Sequence, residues 1–204
     1  TEVMRCLYGL DRYTSGVVKV DGEAVSIDSP AAALSHGIAL VSDDRKNIGL
    51  VLGLSIRKNL TLQNPRLISH FGFIDDAVES ELSATTVREF SIRSRSDEQI
   101  VSTLSGGNQQ KAIIAREIEL NGDLIVFVQP TRGLDIGAIQ NIQSKMMEQR
   151  AQGKGIILIS LELDEIMSCA DTIGVLYNGS LVRVEPRESV TLEQVGEWMM
   201  GVKA

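Results

Sequence analysis

The sequence predicts an α/β fold with a central sheet, an antiparallel flank near its start and a helical insert, and three observations carry that expectation. Short apolar runs at residues 38–41, 124–128 and 156–160 read as buried strands, and they alternate with stretches whose apolar residues recur every three or four positions. Two further short runs, residues 17–20 and 23–27, meet at Asp21-Gly22, a strong hairpin signal. From Ser55 to Thr103 helical patterns follow one another with no strand-helix alternation, which makes that stretch an insert.

In chain order, residues 1–10 place Val3, Met4, Leu7 and Leu10 on a helical pattern, with Gly9 near its end, and Tyr13-Thr14-Ser15-Gly16 then turns the chain. Ser29-Pro30 opens a short helix through Ser35, because proline suits a first helical position, and Gly37 ends it. The insert's helices fall at residues 56–62 and 75–90, with polar connections around Asn64-Pro65 and at residues 91–97. Arg57, Lys58, Arg88, Arg93 and Arg95, scattered along it, read as a solvated face. Residues 136–152 form an amphipathic helix with Ile139, Ile142, Met146 and Met147 on its apolar side, the methionines as core filling. A second hairpin turns at Asn178-Gly179, and Thr191 to Gln194 is a capping box that opens a last helix with Val195, Trp198 and Met199 as its apolar face.

Composition narrows the function classes. With 43% apolar and 23% charged residues in 204, the chain can bury one sizeable core, with room for a smaller attached lobe. It contains no run of about 18 apolar residues, so any membrane role passes through a partner protein. A net charge of −7 and a pI near 4.9 argue against a nucleic-acid surface, which needs a basic face. Cys6 and Cys169 stand alone and read as buried, reduced thiols of a cytosolic compartment; His36 and His70 are equally isolated, and no metal site is expected. Glu162, Asp164 and Glu165 read as acids of a first helical turn, where the dipole favours them, rather than as a carboxylate site. No signal peptide is present and the first residue is Thr, from which a longer parent chain is expected.

The chemistry gathers at Leu104-Ser105-Gly106-Gly107-Asn108-Gln109-Gln110-Lys111, which reads as an anion-binding helix start. Two glycines let backbone approach a phosphate closely, Ser105 adds a hydroxyl, and the free N–H groups and positive dipole end of the following helix face outward. Ala112, Ile113, Ala115, Ile118 and Leu120 fall mainly on one side of that helix, which would pack it and fix the terminus.

Residues 104–111 resemble the signature motif of ATP-binding cassette (ABC) proteins, in the form found in importers of simple sugars and nucleosides; the stretches 129–138 and 160–166 and the Asp-Asp-Arg-Lys of residues 43–46 are similar to the same family. The resemblance implies a P-loop NTPase-like ABC nucleotide-binding domain: residues 1–54 as a truncated ATP-binding core with antiparallel strands, 55–104 as the helical subdomain, and 105–204 as signature helix, Walker B-like strand and the rest of the core. It implies ATP and Mg2+ as cofactors. Ser105, Gly106, Gly107 and Gln109 would close over ATP seated on a partner domain, and Thr1 would be the magnesium-contacting hydroxyl after a P-loop that the sequence does not contain. Asp43 stands at the Q-loop position, as sensor of magnesium and of the membrane subunit, and Asp135 in the D-loop at the interface between domains, where it would also cap a helix.

The sequence departs from that pattern where hydrolysis is decided. The Walker B strand should end in Asp and Glu, and here Val128 and Gln129 precede Pro130. Valine cannot accept a hydrogen bond from metal-bound water, and the neutral amide of Gln129 is a poor general base. The switch histidine position holds Leu161, which can neither bind a phosphate nor relay a proton. The expected function is therefore the C-terminal cassette of a tandem ATP-binding subunit of a nucleoside or simple-sugar importer, supplying its signature to a composite site while its own site is degenerate. Implied partners are the N-terminal cassette or a second ABC domain, integral membrane permease subunits and, indirectly, a substrate-binding protein, with the chain peripheral on the cytoplasmic face. Two other classes stay open: a non-hydrolytic nucleotide-binding or dimerisation module, and a soluble ABC ATPase working on nucleic acid or ribosomes.

Overall fold

A computed structural model describes residues 1–202. The chain divides into two compact units, Thr1–Ile157 and Leu158–Ala204. In the first, helix α1 (Glu2–Leu7) precedes strands β1 (Val18–Val20) and β2 (Glu23–Val25), which pair antiparallel with Val20 opposite Glu23. Asp21 and Gly22 both take positive φ, 51° and 84°, as the two-residue turn between right-twisted strands requires. Helix α2 (Pro30–Ser35) starts where expected, with the Ser29 hydroxyl accepting the Ala32 N–H.

The core is built on β3 (Ile38–Val41), which pairs parallel with β6 (Leu124–Val128) in the register Ile38 to Leu124 through Val41 to Phe127. All of β3 is buried, as is β6 after its first residue, because a parallel sheet is covered on both faces and its strands read as continuous apolar runs. Strand β7 (Gly155–Ile159) begins on the other side of β6, where the Gly155 N–H donates to the Asp123 carbonyl. Helix α5 (Gly106–Glu119) packs against β3. Its middle is buried more completely than a one-sided pattern implies: Ala112, Ile113, Ile114 and Ala115 are all inside, and so are Arg116 and Glu117. Each fully buried isoleucine here contributes roughly 1.5–3 kcal/mol. Arg116 and Glu117 persist there by pairing, with Arg116 Nε and Nη2 donating to Glu117 Oε1 at 3.0 and 2.8 Å and Gln63 adding a third bond at 3.0 Å. Burial nonetheless pushes the Glu117 carboxyl above the ordinary range.

The insert comprises α3 (Ile56–Thr61), a 3-10 turn at Pro65–Leu67, β4 (Ser69–His70), β5 (Phe73–Ile74) and α4 (Asp76–Glu89). The small β4–β5 hairpin was not expected from the sequence: Phe71 and Gly72 turn it at φ 50° and 85°, and two-residue strands leave no alternation to read. Arg57 and Lys58 also differ from the solvated face foreseen for them. Arg57 grips Asp97 through Nε and Nη2 at 2.8 and 3.2 Å, and Lys58 reaches the buried Glu79 at 2.6 Å, where Thr61 donates a further bond at 2.8 Å. Helix α6 (Ile136–Ala151) closes the unit, burying Ala138, Ile142, Met146 and Gln149.

The second unit holds α7 (Leu163–Cys169), β8 (Thr172–Tyr177), β9 (Ser180–Pro186) and α8 (Leu192–Met199). Strands β8 and β9 pair antiparallel around Asn178-Gly179, both at positive φ. Ile173, Val175, Val190, Val195 and Trp198 form its small core, and Thr191 and Gln194 make the expected reciprocal cap. Cys6 and Cys169 are free and half-buried, rather than fully inside.

Candidate functional site

In the first unit the parallel pairing of β3 and β6 sends both strands out of the sheet at one edge, which places Ser42 to Asp44 and Val128 to Gln129 together. The carboxyl ends of parallel strands are where ligands collect in folds of this class. Helix α5 brings its start to the same edge, since Arg45 Nη1, just past β3, donates to the Gly106 carbonyl at 3.2 Å.

That start is braced from several directions. Ser105 has the extended backbone of an N-cap, and its hydroxyl accepts from the Asn108 N–H at 3.4 Å and from Asn108 Nδ2 at 2.9 Å. Asn108 Oδ1 accepts the Arg93 N–H at 2.9 Å, which ties in the loop after α4. Gln109 turns back instead of outward: its Nε2 donates to the Val101 and Leu104 carbonyls at 3.2 and 3.3 Å, so its side chain shapes the entering loop. Gly106 and Gly107 are left as bare backbone. No acid occupies the first turn, and Lys111 is held below its ordinary pKa by burial and by Arg93 nearby. The absence of Cβ atoms has a tertiary reason too. A Cβ on Gly107 would stand 3.2 Å from Ala138 Cβ and 3.7 Å from Asp135 Oδ2, so the start of α6 approaches the start of α5 over this glycine.

Asp135 caps α6, accepting the Ala138 N–H at 2.9 Å, and stays exposed beside Gly107. Asp43 is exposed after β3, while Asp44 is spent on its own turn: it accepts from the Asn47 N–H and from Asn47 Nδ2, which lowers its pKa. At the end of β6, Val128 is only 2% exposed. Gln129 follows at φ +48°, a left-handed conformation costly for a residue with a Cβ, and its carbonyl accepts the Arg132 N–H. Thr1 lies at the start of α1, exposed, its side chain making no capping bond. Leu161 belongs to the second unit and is 68% exposed. The structure thus gathers Ser105, Gly106, Gly107, Gln109 and Asp135 around one pair of helix starts. Among the described residues no three His, Cys, Asp or Glu side chains gather as a metal group.

Sequence reasoning placed Arg45 and Asn108 within the stretches 43–46 and 104–111 but gave neither a role of its own, and it read Arg93 only as part of a solvated face. The capped turn around Arg45 has a local signal, an Asp three residues before an Asn, but its partner lies 61 residues away. Arg93 joins through its backbone N–H, which no side-chain pattern announces.

A family model described as ABC transporter matches residues 1–132. The chain is 37% identical over 201 residues to a ribose import ATP-binding protein of Lactococcus lactis subsp. lactis (strain IL1403), covering 98% of this chain and 41% of that protein. It is 36% identical over 203 residues to a nucleoside import ATP-binding protein of Lactococcus lactis subsp. cremoris (strain MG1363), covering 98% and 40%. The chain therefore spans about two fifths of the length of these relatives. Among solved structures it is similar to a dimeric ATP-binding cassette in a post-hydrolysis state bound to ADP and Pi, with a TM-score of 0.75 at 20% identity, covering 91% of this chain and 79% of that one. It is also similar to a nucleotide-free ATP-binding cassette from an ABC transporter, with a TM-score of 0.77 at 19% identity over 96% and 79%. At these identities the likeness establishes the fold.

Proposed function

The chain belongs to the ABC transporter family, and on that premise we propose that it is the C-terminal cassette of a tandem ATP-binding subunit that drives import of a nucleoside, a simple sugar or a related small polar compound. Similarity to ribose and nucleoside import ATP-binding proteins supports the substrate class. The observation that carries the reading is the start of α5, where Ser105 accepts two bonds from Asn108 and keeps its O–H to donate, Asn108 and Gln109 hold the neighbouring loops, and the Gly106 and Gly107 N–H groups take no partner among the described residues.

In this reading Ser105, Gly106 and Gly107 close over the γ-phosphate of ATP held by the N-terminal cassette or a second ABC domain, and Gln109 keeps them in place. Such donors act on a transferring phosphoryl group by preorganised electrostatics, with no reorganisation at the moment of reaction. Asp135 borders the partner domain, residues 55–104 are the helical subdomain, and Asp43 faces the permease. Thr1 keeps the magnesium-contacting hydroxyl role. The end of β6 offers a buried valine and a neutral amide where a carboxylate would hold the Mg2+ shell and a general base would stand, and no hydrolytic step is assigned to it. With Leu161 at the switch position, this chain's own site is the silent one of the pair. No helix among the described residues is long and apolar enough to cross a membrane, so permease subunits would seat the chain at the cytoplasmic face.

Steady-state ATP hydrolysis by the full-length protein assembled with its membrane subunits tests this, with and without Gly107→Asp. The new carboxylate would meet Ala138 and Asp135 and face the phosphate with like charge, so activity should fall about tenfold or more. An unchanged rate would sink the reading in favour of a non-hydrolytic dimerisation module, which Val128, Gln129 and Leu161 would then explain.

A further inference from the structure

The turn after β3 is seated on α5 at two points about two helical turns apart. At the first, the Arg45 guanidinium lies over Gly106, so that a Cβ there would stand 3.2 Å from Nη1 and 3.8 Å from Cζ. At the second, Gly49 lies against Ile113, where a Cβ would meet Ile113 Cδ1 at 2.6 Å. Between them Arg45–Gly49 is a single π-helical turn, closed by the Ile48 and Gly49 N–H groups donating to the Asp44 carbonyl and capped by Asp44 on Asn47. A piece so bonded to itself moves as a unit.

The segment that follows it is bonded to α3 and to the loop that enters α5. Val51 is gripped by the buried Asn59, which accepts its N–H at 2.8 Å and donates to its carbonyl at 3.1 Å and to the Ser55 carbonyl at 3.0 Å. The Leu54 carbonyl accepts the N–H of Val101, whose own carbonyl accepts from Gln109. Residues 44–55 therefore hold the signature region twice, at the helix through Arg45 and at the entering loop through Leu54.

Helix stability does not account for Arg45. A cation at a helix start opposes the positive end of the dipole. The guanidinium also spends only one of its donors on protein among the described residues. We propose that Arg45 is a positioning residue that locks the Gly106-Gly107 backbone to the turn at residues 44–49, so that displacement of the turn's exposed side, Lys46, Asn47 and Ile48, is delivered to the phosphate-facing backbone. This rests on the reading of the signature given above.

The test uses the full-length protein with its membrane subunits, comparing Arg45→Met, which keeps the stem and loses the donors, with Arg45→Lys, which keeps a donor, and with Gly107→Asp. Arg45→Met should lower kcat about tenfold with KM for ATP within about twofold and the unfolding midpoint unchanged, and Arg45→Lys should recover most of the rate. Arg45→Met at the wild-type rate beside an inactive Gly107→Asp would overturn the role of Arg45 alone. A parallel rise in KM would put Arg45 on the nucleotide, and a lowered unfolding midpoint or no recovery with Lys would make it merely structural; each overturns the proposal. A wild-type rate for Gly107→Asp removes the functional reading and this proposal together.

Discussion

At the start of α5 the Ser105 side chain caps Asn108 while those of Asn108 and Gln109 hydrogen-bond the neighbouring loops, whereas at the end of β6 the chain leaves the sheet through a buried valine and then through Gln129 in a left-handed conformation. Both regions lie at one edge of the sheet, where this fold collects ligands. One presents bare backbone donors held by polar bonds. The other has apolar packing and local strain with no charge to offer. The contrast teaches that one edge of a sheet can carry polar, backbone-lined structure and apolar packing side by side, because different residues hold the two in place.

The largest expected effect tests whether the end of β6 has truly become core. Val128→Asp would bury a carboxylate with no acid, base or metal prepared for it, at a cost of about 3–5 kcal/mol. Urea unfolding of the purified protein at pH 7 should record that loss; a variant as stable as the wild type would mean that the strand end still accommodates an acid, and the comparison would break.

A smaller effect sharpens the other side. Arg57 and Asp97, both about one-sixth exposed, tie α3 to the loop that leads into α5. Asp97 is held below the ordinary carboxylate range first by the hydrogen bonds from Arg57, against burial. A depressed folded pKa contributes stability that is present above the unfolded value of about 3.9 and is lost as pH falls through the lower folded value. Asp97→Asn should therefore cost about 1.5–3 kcal/mol at pH 7, and the gap to wild type should close as pH drops below about 4. Unfolding curves at pH 7, 5 and 3 decide it, and a gap that ignores pH would remove the ion pair from the brace.

The smallest effect carries the opposite sign. Gln129→Gly relieves a left-handed conformation that costs about 1–2 kcal/mol for a residue with a Cβ, less the backbone entropy that glycine brings. The urea midpoint should rise by an amount worth up to about 1 kcal/mol, with the slope unchanged. A fall instead would show that the Gln129 side chain secures the end of β6 as firmly as Gln109 secures the start of α5.

Much of this architecture was legible in the residues, and the legible parts share a cause. The caps at Ser29, Ser105, Asp135 and Thr191 are hydrogen bonds between residues three apart, and the turns at Asp21-Gly22 and Asn178-Gly179 need only two left-handed residues side by side. The apolar runs that became β3 and β6 announce burial on both faces. The brief hairpin at residues 69–74 escaped because two-residue strands hold no period.

By itself, then, the sequence determined what depends on neighbours along the chain: the order of strands and helices, their caps and turns, the paired glycines at the start of α5, and the uncharged Val128 and Gln129 at the end of β6. Only the tertiary structure decided what each charged or polar side chain meets. Arg57 reads as solvated until Asp97, 40 residues on, closes against it; Arg45 reads as one charge in a polar loop until Gly106 arrives beneath it from 61 residues away. Arg116 and Glu117 are surface residue types that the fold leaves only 5% and 1% exposed. The physical reason is reach: a cap or turn is set by dihedrals a few residues apart, while the partner and solvation of a charge are fixed by whichever distant segment the folded chain brings against it.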